Sequence, residues 1–171
     1  MKKLFLGLAI AFFAFSVNAQ ELKTITVMEK VSVGLPGTPT EDNSKGMPLQ
    51  KVSMDDSTEF SAGVIDFSVF GMDEAMLQKM AGTDDFKQQM EAGVSMQPGA
   101  KLLKNDAGMY ADKYTMYDMV LEMDKDGKKG TVMTRTIFYK QYGIAITYRP
   151  GMKGENAELK NKVFNSVKIA E

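Results

Sequence analysis

The segment over residues 59–70 constrains the fold more than any other. Its apolar residues fall on both parities, with Phe60, Val64 and Phe70 on one and Ile65, Phe67 and Val69 on the other. Successive side chains of a strand point to opposite sides of its sheet, so a strand with one wet face alternates apolar and polar. A strand that is apolar on both sides belongs to a sheet covered on both faces.

The flanking segments fit that demand. Residues 22–35 carry Ile25, Val27, Val31, Val33 and Leu35 on one parity, which predicts a strand bent at Glu29-Lys30. Residues 34–48, rich in Pro, Gly and polar residues, read as an exposed loop, and residues 49–54 as a second strand. Over 72–96 the period becomes helical. Asp73 is a candidate N-cap before Met76, Leu77 and Met80, and Thr83-Asp84-Asp85 restarts a helix carrying Phe86, Met90 and Val94. Two short helices or one kinked helix satisfy this pattern. A short strand at 101–104 and a long one at 109–123 follow, the latter with Tyr117, Met119, Leu121 and Met123 on one parity. Asp126-Gly127 marks a hairpin turn. Residues 131–141 and 143–148 read as strands, 155–164 as a helix with Leu159 and Val163 inward, and 167–169 as extended. This order predicts an α+β fold, an antiparallel sheet flanked by helices.

The first residues carry an address. Lys2 and Lys3 precede an uncharged apolar run from Leu4 to Phe15, and Val17 and Ala19 supply small residues before Gln20. This matches a secretory signal peptide over residues 1–19, whereas a retained membrane anchor needs roughly 20 apolar residues. Residues 20–171 then form a single domain of 152 residues, periplasmic or secreted. Without Lys2 and Lys3 the balance is 19 basic against 22 acidic side chains, a net charge of −3. A core of this size needs no disulfides. Mild acidity, with Arg135 and Arg149 as the only arginines, argues against nucleic acid as a partner.

Composition also removes chemistry. The chain has no His, Cys or Trp, so it cannot assemble a Ser-His-Asp or Cys-His relay or a thiolate metal site. The carboxylate pairs Asp55-Asp56, Asp73-Glu74 and Asp84-Asp85 are adjacent in sequence, which suits turns and helix starts better than the roughly 5–10 Å separation of a glycosidase pair. The stretch from Glu122 to Gly127 resembles the start of a calcium loop, but Gly130 and Met133 stand where its ninth and twelfth positions would be, so a hairpin turn is expected. No serine lies in a nucleophile-elbow motif. The 15 methionines raise one alternative, Cu(I) held by the thioethers of Met116, Met119 and Met123. Strand alternation puts Met116 on the opposite face from the other two, so core filling is the stronger reading. Neither a catalytic nor a metal or cofactor residue is assigned.

Two stretches carry a family resemblance. Val31-Ser-Val-Gly-Leu-Pro-Gly-Thr-Pro39 is a strand running into prolines. Phe138-Tyr-Lys-Gln-Tyr-Gly-Ile-Ala-Ile-Thr-Tyr148 precedes a short helix and Phe164-Asn-Ser-Val-Lys-Ile169. With the helical segment after the third strand, this order resembles the PsbP-like group, which includes DcrB-type periplasmic proteins. The resemblance implies an antiparallel sheet between helices, an α/β/α sandwich, and an accessory or assembly role without enzymatic activity. It carries over no site residue.

The expected function is therefore binding, in the cell envelope, with an envelope protein or a small ligand as partner. A small-ligand or Cu(I) carrier and an unrecognised hydrolase are the alternatives. The candidate docking residues are Tyr110, Tyr114 and Asp118, with Asp112 and Met116, on the polar parity of the 109–123 strand. If a second layer covers that face, the tyrosines pack beneath it instead, which is the stronger of the two readings.

Overall fold

A computed structural model describes residues 21–43, 48–125 and 127–170. The signal-peptide reading of residues 1–19, Asp126 and part of the expected 34–48 loop lie outside the described residues.

The first reversal differs from the expected bent strand. β1 (Leu22–Met28) and β2 (Val31–Pro36) form a hairpin with Lys30 at φ 67° in its turn. A two-residue turn alone would flip the parity of inward side chains, since Met28 pairs with Val31, but the irregularity between Thr26 and Met28 restores it and Ile25 sits opposite Val33. The alternation is therefore the same for a bent strand and for a hairpin. β3 (Thr40–Asp42) adds a short strand within the expected loop, and β4 (Leu49–Ser53) and β5 (Glu59–Asp66) follow. The apolar run beyond β5 leaves the sheet as a 3-10 turn, Phe67–Phe70, which Asp66 caps.

Two separate helices follow. In α1 (Glu74–Met80) the Asp73 side chain accepts from the Met76 amide at 2.8 Å. In α2 (Asp84–Ser95) the Thr83 hydroxyl accepts from the Phe86 amide. Such caps satisfy amide groups that the first helical turn leaves unpaired.

Residues 100–125 are a hairpin too. β6 (Ala100–Tyr110) turns at Ala111-Asp112 into β7 (Tyr114–Lys125). The expected strand over 109–123 is thus divided, because Ala111 and Asp112 both take positive φ (50° and 54°) where Asn-Gly would have announced a turn. β8 (Lys128–Tyr139) and β9 (Tyr142–Arg149) complete a seven-stranded antiparallel sheet in the order β3-β4-β5-β9-β8-β7-β6. Gly127, at φ 75°, serves the β7–β8 turn as its sequence indicates. α3 (Ala157–Phe164) and β10 (Lys168–Ile169) end the described chain, with β10 joining β2 and β1 in a three-stranded sheet.

Each face of the large sheet carries a covering layer, although Phe67, Val69 and Phe70 of the 59–70 pattern lie in the 3-10 turn and not on β5. One face buries Phe60, Ile137, Ile144, Ile146 and Tyr148 against α3 and the small sheet, through Val31, Val33, Leu35 and Val163. The other buries Tyr117, Phe138, Met119 and Leu121 against Leu77, Phe86 and Val94 of α1 and α2. One covering layer is helical and the other is mixed. Among the described residues no helix is long and apolar enough to cross a membrane.

Candidate functional site

α1 and α2 do not cover all of their face. Phe138 pairs with Gly143 and Thr136 with Ala145, and these positions lie under or beside the helical layer. Further along the same parity come Thr147 on β9, then Ser61 and Glu59 on β5 and Lys51 on β4. There the sheet surface lies open as a cleft of about 660 Å³. Ser61, Ala145 and Thr147 contribute small side chains to it. Asp42, Leu49 and Lys51 line one wall, and Pro98 with the β7–β8 hairpin lines the other.

The walls are fixed locally. Pro98-Gly99 is tied to the hairpin by the Asp124 amide, which donates to the Gly99 carbonyl at 2.7 Å. Gly99 is required there, having φ 74° and a position where a Cβ would come within 2.2 Å of the Asp124 carbonyl oxygen. The Asp124 carboxylate, once a possible calcium ligand, accepts from the Gly127 amide at 2.9 Å and so shapes the turn.

Four cations line the cleft (Lys51, Lys128, Lys129 and Arg149) together with the acids Asp42, Glu59 and Asp124. Glu59 has both oxygens engaged: Oε1 lies 2.8 Å from Lys51 Nζ and Oε2 3.3 Å from Arg149 Nη1. Lys129 pairs with Glu122 at 3.0 Å, and that hydrogen bond holds its ammonium above the ordinary lysine range. The Thr134 and Thr147 hydroxyls bond to each other at 3.1 Å. Charged walls around small, hydroxyl-bearing side chains can bind a polar ligand or an extended segment. A carboxylate held by two cations is poorly placed to shuttle protons.

The residues singled out in the sequence lie on the opposite face. Tyr110 and Tyr114 stand across from each other on β6 and β7, at either end of the Ala111-Asp112 turn, rather than along one strand. Both are half-buried and pack against the α3-side core. The Tyr110 hydroxyl donates to the Val167 carbonyl at 2.8 Å, and burial raises its pKa. Tyr114 meets Tyr139 edge-on, with centroids 5.8 Å apart. Asp118 is engaged by Arg135, and Asp112 lies in the turn. Met116 packs on the α3 side, while Met119 and Met123 join Met90 under α2. The sheet thus separates the three thioethers of the copper alternative. Among the described residues no group of three or more acids is arranged to hold a metal. Sequence reasoning did not find Lys51, Glu59 and Arg149. Their one available signal was the polar parity of Glu59 and Ser61 on β5 and of Thr147 and Arg149 on β9.

The architecture has solved counterparts. It superposes on the solution structure of cyanobacterial PsbP (CyanoP) from Synechocystis sp. PCC 6803 with a TM-score of 0.57 at 9% identity, covering 90% of this chain and 95% of that one. The fold is PsbP-like. A crystal structure from Bacteroides thetaiotaomicron VPI-5482 matches with a TM-score of 0.54 at 14% identity, covering 89% of this chain and 49% of that one. A looser match, at a TM-score of 0.42 and 13% identity, is LpqN, involved in cell envelope biogenesis of Mycobacterium tuberculosis, covering 90% of this chain and 88% of that one. No protein-family model matches the sequence, and no curated protein is significantly similar to it. On this PsbP-like frame the cleft over β4, β5 and β9 is the feature that neither covering layer requires.

Proposed function

We propose that this chain is an exported accessory protein of the cell envelope, acting by binding rather than catalysis, with its ligand or partner segment held in the cleft over β4, β5 and β9. The observation that carries this reading is the open stretch of a sheet otherwise covered on both faces. Exposed sheet surface lined by small and hydroxyl-bearing residues adds nothing to the core, and a volume of about 660 Å³ falls within the range of small-molecule sites. The export pattern of residues 1–19 supports the compartment, with residues 20–171 as the working domain. The engagement of Glu59 by Lys51 and Arg149 supports binding over hydrolysis.

The test is to fill the cleft. Ser61→Phe places a ring over its floor without touching either buried core. Capture from the envelope fraction, followed by mass spectrometry, should lose the partner or ligand that the wild type retains, while the melting temperature stays close to wild type. Equal capture by the folded variant would remove the cleft from the function.

A further inference from the structure

We propose that the cleft takes a small anionic ligand through the open fork of Arg149, with Nε and Nη2 donating two parallel hydrogen bonds to the oxygens of a carboxylate or a phosphate. The inference rests on the cleft as the binding site and adds the chemical class of what it holds. The chain has two arginines, and their guanidinium groups differ in what they hold. Arg135 is fully engaged, with Nε and Nη2 on Asp118 and Nη1 on Asn165. Arg149 meets Glu59 through Nη1 alone, at 3.3 Å, and its side chain is 50% exposed at the cleft. Its Nε and Nη2, the same edge with which Arg135 holds a carboxylate, have no partner among the described residues. That edge presents two parallel donors, a geometry matched by carboxylate or phosphate oxygens.

The rest of the cleft is short of acceptors, not of donors. Glu59 has both oxygens occupied, the Asp124 carboxylate accepts from the Gly127 amide, and Asp42 is engaged as well. The Lys128 ammonium, by contrast, has no ion pair or hydrogen bond among the described residues, and neither has the Ser61 hydroxyl. In the Thr134–Thr147 pair one hydroxyl donates to the other, whose own hydrogen stays available. The register brings these donors to one side. Thr134 pairs with Thr147, so the cleft parity of β8 runs on through Val132 and Gly130 to Lys128 along the flank of Arg149. Gly130 has open space where a Cβ would go, which keeps the surface clear between the two cations. A cationic ligand would meet carboxylates that are already satisfied, whereas an anion meets a free fork and a free ammonium. Glu59 touches the same guanidinium, so its charge opposes that of the ligand.

Titration of the isotope-labelled protein with succinate and, separately, with inorganic phosphate, followed by NMR at an ionic strength held constant with sodium chloride, tests the proposal. At least one of the two should give saturable shifts at the amides of Ser61, Gly130 and Thr147, and the tighter arm tells carboxylate from phosphate. Arg149→Lys keeps the charge but loses the fork, and should weaken binding by about tenfold or more. Lys128→Ala should weaken it too. Glu59→Gln should tighten it, a gain that a misfolded variant would not give. No saturable shift with either anion would overturn the proposal, and so would affinities indifferent to both Arg149→Lys and Glu59→Gln. That indifference, alongside loss of capture by Ser61→Phe, would leave the cleft as the binding site and remove only the anion. Fork-dependent anion binding alongside equal capture by Ser61→Phe would do the reverse.

Discussion

Arg135 on β8 grips Asp118 on β7 with both arms of its guanidinium, Nε to Oδ1 at 2.7 Å and Nη2 to Oδ2 at 2.6 Å. The third nitrogen, Nη1, donates to Asn165 Oδ1 at 2.8 Å, and the guanidinium lies over the Phe164 ring. Asn165 and Val167 are also held by the Tyr110 hydroxyl, and the Ser166 hydroxyl accepts from the Gly34 amide at 2.8 Å. The link between α3 and β10 is thus fastened to β6, β8 and β2 at once. These bonds add polar ties to a layer that Val31, Val33, Leu35 and Val163 already hold to the large sheet by burial.

Removing the grip should therefore destabilise the fold. Arg135→Ala strips a partly buried carboxylate of its partner and frees Asn165, at an expected cost of about 1–3 kcal/mol. Arg135→Lys keeps the charge but loses the fork, so it should fall between wild type and alanine. Urea midpoints at neutral pH measure both, and an alanine variant as stable as wild type would make the pair incidental.

Tyr117 gives the chain an alkaline limit. Its ring is buried among Phe86 and Phe138, and its hydroxyl donates to the Ala81 carbonyl at 2.7 Å. Burial raises its pKa above the ordinary value of 10.0, and the acids Asp84 and Glu91 push the same way. The native state therefore keeps this proton where the unfolded state loses it. Stability is full below about pH 10 and falls as pH rises through the native pKa. Tyr117→Phe should cost about 1 kcal/mol at neutral pH through the lost hydrogen bond. It should also flatten the decline in urea midpoint between about pH 9 and about pH 11.

The Ala111-Asp112 turn stores removable strain. Both residues hold positive φ, a region where Asn and Gly sit more easily. Ala111→Asn with Asp112→Gly should raise stability by about 0.5–1 kcal/mol, read as a higher melting temperature with an unchanged far-ultraviolet spectrum. A fall would show that the turn is relaxed as it stands.

Two glycines should respond to alanine with opposite signs. Gly93 lies inside α2 with open space where its Cβ would go, so Gly93→Ala should stabilise by about 0.5–1 kcal/mol. Gly99 combines positive φ with the close Asp124 carbonyl, so Gly99→Ala should destabilise by about 1–3 kcal/mol and distort the cleft wall. Thermal melts of the pair, side by side, decide the point.

What the sequence determined by itself was local or periodic. The two-sided apolar run over 59–70 led to a sheet with a layer on each face, and both layers are present. Phe67, Val69 and Phe70 of that run nevertheless lie in the 3-10 turn, and one face of β5 is left open at Glu59 and Ser61. Asp73 and Thr83 marked their helix starts, and the parity of Tyr117, Met119 and Leu121 named a core face. Each of these signals lies within a few residues, where backbone geometry alone relates side chains to one another. The tertiary structure decided the rest. The reversals at Glu29-Lys30 and Ala111-Asp112 left no mark, because neither carries Asn-Gly and both keep the parity of inward side chains. The irregularity between Thr26 and Met28 keeps it at the first, and the three residues between Tyr110 and Tyr114 keep it at the second. The cleft was equally hidden. Lys51, Glu59 and Arg149 meet because β4, β5 and β9 are neighbours in the sheet, and strand register, not spacing along the chain, sets that distance. The floor lies open only because α1 and α2 settle over β7 and β8, where the apolar side chains that hold them are concentrated.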